Sequence, residues 1–355
     1  MTIPESIFPL NPQKPIVNHQ TGLVRTMRKN IGSALEYLWE LSGSIRFYKV
    51  DVVVISGKEK YTSEPLKILY IGHYDNYAFL LNELYSDWKI SEKHVGIHSF
   101  NAKDWINRFQ TRCDVLFLDL ELLYCKMIRK RGFIEIPQWI RQKLEIPYTW
   151  AEVTGKFRKN TKKTDLRKVR KYNFSYRLSQ SEEDFKDFYH RMYKPYLQKR
   201  FSDAVIIEPE WKVLRQCRKG KLMQIIREDR IVACVLLHKK EGRLAYVWVG
   251  VPDDIKSEIL VGAFSALYYF TIQFGYENGC HEIDFLGSRP LLNDGLFRYK
   301  RKWGTYVQDS PVPRGDILIR PLHLKPPVSS FFANNKFIAR DGNDLVGKIL
   351  FDKHE

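Results

Sequence analysis

"DFLGSRPLLNDGLFRYKRKWG", Asp284 to Gly304, is the stretch on which the fold turns. It begins as the end of an apolar strand, "CHEIDFLG", and breaks at Gly287. It then passes through "SRPLLNDG", where Asn-Asp-Gly is a strong turn signal. It closes on four cations in five residues, Arg298, Lys300, Arg301 and Lys302. A strand end, a turn and a dense positive cluster therefore meet late in the chain.

The segments upstream have a readable order. "FSYRLS" reads as a strand, and Ser181 followed by acids reads as a helix start. "EPEWKVLRQCRKGK" reads as a second helix that stops at Gly220. "LMQIIRED", "RIVACVLLHKK" and "RLAYVWVGV" read as three strands joined by tight hairpin turns. A long apolar helix over 258–278 precedes the opening stretch. The order β-α-α-β-β-β-α-β-α-β predicts an α/β (α+β) fold, with a mixed, mostly antiparallel sheet flanked by helices.

Earlier still, "FYKVDVVVIS" (47–56), "LKILYIG" (66–72) and "CDVLFLDL" (113–120) read as strands. "NYAFLLNELYSDW" (76–88) and "PQWIRQKLEI" (137–146) read as helices, as does a segment near Ile31–Ser42. No GxGxxG follows the first strand, which argues against a dinucleotide site. The expected organisation is an arm (1–45), an N-terminal α/β domain (46–150), a basic connecting helix (151–172), a main domain (173–312) and a C-terminal extension (313–355).

Composition narrows the function classes. The 355 residues are 44% apolar and 14% aromatic, enough for packed cores. A net charge of +17 implies an anionic partner: nucleic acid, a lipid surface or a phosphorylated small molecule. Nine cations and one acid fall between Lys156 and Lys171. With Phe157, Leu166 and Val169 alongside, this run reads either as a solvated face or as an anion-binding amphipathic helix. Five cysteines without a CxxC read as free core thiols in a reducing compartment. His94 and His98 ("HVGIH") read as a surface turn pair, and no metal site is expected. The N-terminus lacks the pattern of a secretory signal. Ile259–Tyr276 reads as a buried helix, since a span needs about 20 predominantly apolar residues. The expected location is cytoplasmic, at most peripheral to the inner membrane face.

Three stretches resemble the acyl-CoA N-acyltransferase (GNAT) superfamily, in the branch of Fem-type aminoacyltransferases and cellulose-biosynthesis-type acetyltransferases. They are "RKNTKKTDLRKVRKY", "GYENGCHEIDFLG" and "LFRYKRKWG". The resemblance runs from about 150 to 310. It implies a GNAT-like sheet whose fourth and fifth strands splay to admit the donor, and an N-terminal domain that is a degenerate first copy. It implies acyl-CoA as co-substrate with no permanently bound cofactor, and an amine acceptor on a lipid or cell-envelope precursor. Peripheral contact with an anionic membrane is part of that reading. Aminoacyl-tRNA is the alternative donor, and a non-catalytic anion-binding module is a third reading. The usual pyrophosphate loop is poorly matched by "ILVGAF" (259–264), where Gly262 is the candidate position.

Within that resemblance, acyl transfer to an amine needs a base, a polarised carbonyl and a bound donor. Asp284, at an apolar strand end, is a candidate base or else the partner of Arg289 or Lys300. His238 is a second candidate base, and Tyr246 is an acid candidate toward the leaving group or a packed core residue. Trp248 lies on the donor-facing strand. Ser288, Arg289, Asn293 and Asp294 would line the acceptor side, Arg289 as a carboxylate or phosphate clamp. Arg298, Lys300, Arg301 and Lys302 would face the phosphates of the donor or carrier.

Overall fold

The computed structural model describes residues 6–9, 49–73, 81, 84–120, 124, 132–201, 207–309, 316–342 and 344–349. The chain divides into two compact units. The first comprises Met1–Ile140, Arg289–Asp294 and Asp309–Glu355; the second comprises Arg141–Ser288 and Gly295–Gln308.

In the first unit the strands are β1 (Ser6–Pro9), β2 (Lys49–Glu59), β3 (Pro65–Gly72), β4 (Tyr85–His98), β5 (Val115–Asp119) and β6 (Ile134–Pro137). The chain returns to it after the second unit with β14 (Asp316–Pro321), β15 (Phe337–Asp341) and β16 (Asp344–Ile349). Six strands form a sheet in the order β4-β2-β3-β5-β14-β6, and β1, β16 and β15 form another. β5, "VLFLD", is buried at every position, as a strand covered on both faces should be. Residues 313–355, expected as an extension, instead supply β14 to the larger sheet, between β5 and β6 and antiparallel to both. "YSDW" opens β4 rather than ending a helix. The rest of that stretch lies mostly outside the described residues, and the segment near Ile31–Ser42 lies wholly outside them. His94 and His98 sit on β4, not in a turn, and His94 pairs with Glu92 at 2.9 Å.

The second unit holds β7 (Ile140–Glu145), β8 (Ser175–Ser179), β9 (Lys221–Arg227), β10 (Arg230–Lys240), β11 (Arg243–Gly250), β12 (Glu282–Ser288) and β13 (Tyr306–Asp309). Their order is β13-β7-β12-β11-β10-β9-β8. "PQWIRQKLEI", expected as a helix, is the end of β6 and all of β7. Ile140, Gln142 and Leu144 are buried while Arg141 and Lys143 are half-exposed, so a period of two overrides the helical spacing. Both hairpins turn as expected. Glu228 and Asp229 have φ of 49° and 61°, and Glu241 and Gly242 have 49° and 72°, the paired left-handed residues of a type I′ turn.

Helices cover both faces of this sheet. On one face lie α1 (Trp150–Gly155), a π-helical turn over Thr161–Asp165 that runs into α2 (Leu166–Lys171), and α6 (Ser257–Glu277). On the other lie α3 (Glu182–Asp187), the π-helical Phe188–Tyr193, α4 (Lys194–Phe201) and α5 (Glu210–Cys217). Ser181 caps α3 by accepting from the Asp184 N–H at 3.1 Å. The apolar α6 is long enough to cross a membrane, but more than half of its apolar window is buried in the core, as expected of a core helix. It is the crossover that makes β11 and β12 parallel. α7 (Gly295–Arg301) follows β12. Cys113, Cys217, Cys234 and Cys280 are buried free thiols, and Cys125 lies outside the described residues.

Candidate active site

The parallel pairing of β11 and β12 covers three positions, Arg243↔Glu282, Leu244↔Ile283 and Ala245↔Asp284, and then stops. The cause is local. Asp284 Oδ1 accepts the Leu286 N–H at 2.8 Å, and Leu286 takes a left-handed φ of 58°, which a branched side chain rarely adopts. β12 therefore turns away from β11. Buried Lys300 fixes the diverged end by donating to the carbonyls of Gly287 (2.7 Å) and Leu286 (3.4 Å). On the other side, Leu237 pairs with Tyr246 but Val235 with Val249, so Val247 and Trp248 both stand opposite Leu236 in a β-bulge. From Tyr246 to Gly250, the edge of β11 facing β12 carries no ladder pairing among the described residues. An open strand edge with unspent N–H groups can take an extended ligand as a further strand, and it can polarise a carbonyl.

The wall of this opening is aromatic. Tyr246 lies 5.1 Å from Tyr268 and 5.5 Å from Phe285, and Tyr268 and Phe285 stack at 4.8 Å. Trp303 stacks on Tyr268 at 5.8 Å, and Tyr299 meets Tyr268 edge-on at 5.1 Å. Among the described residues the buried Tyr246 hydroxyl has no hydrogen-bond partner. Burial pushes the Tyr246 phenol well above its ordinary value, so it is a hydrogen-bond donor at neutral pH. Beside it a polar chain leads outward. The Tyr299 hydroxyl is 3.5 Å from Ser265 Oγ, and Ser265 donates to Asp165 Oδ1 at 2.8 Å. Lys302 donates to the same oxygen at 2.7 Å.

The candidates read from the sequence scatter. Tyr246 faces the α6 side, whereas His238 faces the α5 side, with Nε2 2.9 Å from the Gln216 carbonyl; the sheet separates them. Trp248 packs on the His238 face against Tyr193 at 5.8 Å. Asp284 pairs with Arg141 at 3.6 Å, not with Arg289 or Lys300, and with the Leu286 N–H it is committed to shaping the splay. Ser288 is buried and donates to Gln142 Oε1 at 2.6 Å, a core bond rather than an acceptor contact. Arg289, Asn293 and Asp294 belong to the first unit. There Arg289 stacks on Trp139 at 3.9 Å, burial pulls its guanidinium down to about 10, and Asn293 donates to the Asn334 carbonyl.

The cationic cluster also divides. Lys300 caps carbonyls, Lys302 pairs with Asp165, and Arg301 donates to the Thr305 carbonyl; Arg298 is the exposed member. Three of the four thus hold the end of β12 and the α7–β13 turn in place. Gly262 does not form a phosphate loop. It lies in the second turn of α6, where a Cβ would come within 2.9 Å of the Tyr172 and Phe174 rings. The N-terminus of α6 carries Asp253, Asp254 and Glu258, and Asp254 is paired with Arg230. Beside it a cleft of about 730 Å³ is lined by Lys171, Arg227, Arg230 and Lys256 together with Glu228, Asp254 and Glu258. Mixed charge of this kind is a poor cradle for a diphosphate.

Tyr268, Phe285, Tyr299 and Trp303 were not among the sequence candidates. For Tyr299 and Trp303 the signal is the aromatic spacing inside "FRYKRKWG", hidden beneath its cations; Tyr268 and Phe285 lie in the apolar helix and strand before it.

A strand order with antiparallel hairpins, one helical crossover, and a splay beside a bulge defines a GNAT-type acyltransferase domain. Residues 155–301 match the family described as acetyltransferase (GNAT) domain, and the chain carries that domain. No curated protein matches the chain. Among solved structures, FemX aligns at 12% identity over 78% of this chain and 85% of that one, with a TM-score of 0.41. L-PGS from Bacillus licheniformis aligns at 13% identity over 74% and 80%, with a TM-score of 0.37. The C-terminal domain of a putative lysylphosphatidylglycerol synthetase from Agrobacterium fabrum aligns at 11% over 78% and 82%, with a TM-score of 0.38.

Proposed function

We propose that the second unit is an N-acyltransferase. It moves an acyl group from acyl-CoA or a related thioester to the amine of a lipid or cell-envelope precursor. The observation that carries this reading is the splay, a β11 edge left unpaired from Tyr246 to Gly250 next to an orphaned, buried phenol. The donor arm lies along β11, whose N–H groups polarise the thioester carbonyl. The amine nitrogen attacks that carbon, a C–N bond forms and the C–S bond breaks; the proton that the nitrogen gives up replaces the one that the leaving thiolate takes. Tyr246 is the donor to the leaving group in this scheme. Asp284 and Lys300 are positioning residues that keep the groove open.

A second reading replaces the thioester with the ester of an aminoacyl-tRNA. It is favoured by the acidic N-terminus of α6, which suits a diphosphate badly. The two separate in one experiment. The purified protein is offered acyl-CoAs of several chain lengths or aminoacyl-tRNA, with amine lipids or soluble amines as acceptors. Product and melting temperature are followed, since a ligand that binds only the native state raises the latter. Product from acyl-CoA supports the proposal, and product from aminoacyl-tRNA alone selects the second reading. No product from folded protein in either arm, with no shift, refutes both.

A further inference from the structure

The basic run from Lys156 to Lys171 lies on the surface of the second unit. Its inner face, Phe157, Thr161, Asp165 and Val169, is buried. Its outer face presents seven exposed cations, Arg158, Lys159, Lys162, Lys163, Arg167, Arg170 and Lys171. None of them makes an ion pair among the described residues. The one acid of the run, Asp165, is 4% exposed and already held by Lys302 and Ser265. The helical register brings these charges into a ridge, and the π-helical turn at Thr161–Asp165 sets the register of its two halves. Like charges packed so closely repel one another, and a polyanion laid along the ridge relieves that repulsion.

Two exposed aliphatic side chains flank the hub that seats this ridge. Val261 stands one turn before Ser265, which donates to Asp165, and is 47% exposed. Leu296 stands one turn before Tyr299, whose hydroxyl reaches Ser265, and is 42% exposed. The aromatic ring at the end of the ridge, Tyr172, is already taken up by Lys171 and Arg227, each 5.3 Å from its centroid. A surface for single-stranded nucleic acid would offer a free ring for base stacking. A lipid surface instead combines cations for headgroups with aliphatic side chains for the acyl boundary.

We infer that the Arg158–Lys171 ridge, with Val261 and Leu296, docks the second unit on an anionic lipid bilayer. The inference stands independently of the donor, and it deepens the reading of the acceptor as a membrane-borne amine. A cation near an anionic leaflet contributes about fivefold in binding, so three removed charges weaken it on the order of a hundredfold.

The test is sedimentation of the full chain with phosphatidylcholine vesicles, with and without phosphatidylglycerol, at low and physiological salt. The intact protein is expected to bind only the anionic vesicles, and less at higher salt. The Lys159→Gln/Lys163→Gln/Arg167→Gln variant is expected to lose about a hundredfold in that binding while keeping its melting temperature. The Val261→Ser/Leu296→Ser variant is expected to bind several-fold more weakly with its charge unchanged. Equal binding to both vesicle types overturns the inference, as does full vesicle binding by the triple variant. So does a triple variant that loses binding to bulk tRNA but not to vesicles. Acyl transfer to amine lipids and to soluble amines, from each donor, is measured in parallel. Vesicle binding without transfer rejects the proposed function alone, and transfer without vesicle binding rejects the docking surface alone.

Discussion

Replacing Tyr246 with phenylalanine separates the stability of this domain from its chemistry. The Tyr246 hydroxyl is buried among Tyr268, Phe285 and Tyr299 and has no hydrogen-bond partner among the described residues. An unsatisfied buried hydroxyl costs about 1–3 kcal/mol, and its removal leaves a void of one oxygen atom, a small packing loss. Tyr246→Phe is therefore expected to stabilise the second unit by about 1 kcal/mol. For a unit of this size that is a rise of roughly 2–4 °C in its melting transition. If the same hydroxyl donates to the leaving group, kcat falls by about a hundredfold or more, with little change in KM. Calorimetry and steady-state kinetics on one preparation read both quantities. A variant that melts lower by a kilocalorie per mole or more would show that the hydroxyl has a partner in the folded state. A variant that melts higher but keeps full kcat would remove Tyr246 from the chemistry and leave it as unexplained strain.

Further expectations concern packing, pH and thiols. Gly262→Ala drives a methyl group against the Tyr172 and Phe174 rings, so the protein should lose about 1 kcal/mol with an unchanged KM for the donor; a raised KM at constant stability would restore Gly262 as a phosphate contact. Burial alone would raise Glu282, but hydrogen bonds from Lys143 and Tyr306 outweigh it and hold the carboxyl below its ordinary 4.5. Its stabilising contribution is present above pH 4.5 and is lost as pH falls through the lower folded value. Glu282→Gln should therefore lower the urea midpoint at neutral pH and flatten its fall in acid, and parallel curves for the two proteins would contradict this. Burial pushes Cys113 up to about 11 and Cys217 up to about 12, and raises Cys234 and Cys280 as well. These four should resist a thiol reagent at neutral pH until the chain unfolds, which a labelling time course with mass spectrometry will show.

Much of the fold could be read from residue patterns because its punctuation is local. "EDR" and "KEGR" name their hairpins, Ser181 names a helix start, and the apolar run of α6 names the crossover. β7 was missed because Ile140, Gln142 and Leu144 alternate within a stretch whose apolar residues also suit a helix. The splay lies deeper. It depends on Leu286 in a left-handed conformation, which no propensity for leucine suggests, and on an Asp284 carboxylate spent on a backbone N–H. The cations of "FRYKRKWG" were visible but their duties were not, because a lysine that caps carbonyls and one that awaits a phosphate look alike in one dimension. The isolation of Asp165 among nine cations was the better clue. A single acid kept in so basic a run is one the core uses.

The position of β14 has a consequence for biosynthesis. The second unit is complete once residue 308 has been made, whereas the larger sheet of the first unit has a gap between β5 and β6 until residues 316–321 arrive. The part of the protein that is first in sequence therefore finishes folding last. Until then β5 offers "VLFLD", an uncharged strand but for its last residue, as an open edge on the nascent chain. Release of a chain that ends before residue 316 would leave that edge permanently unpaired beside an intact acyltransferase domain, and such a fragment should aggregate through its N-terminal unit.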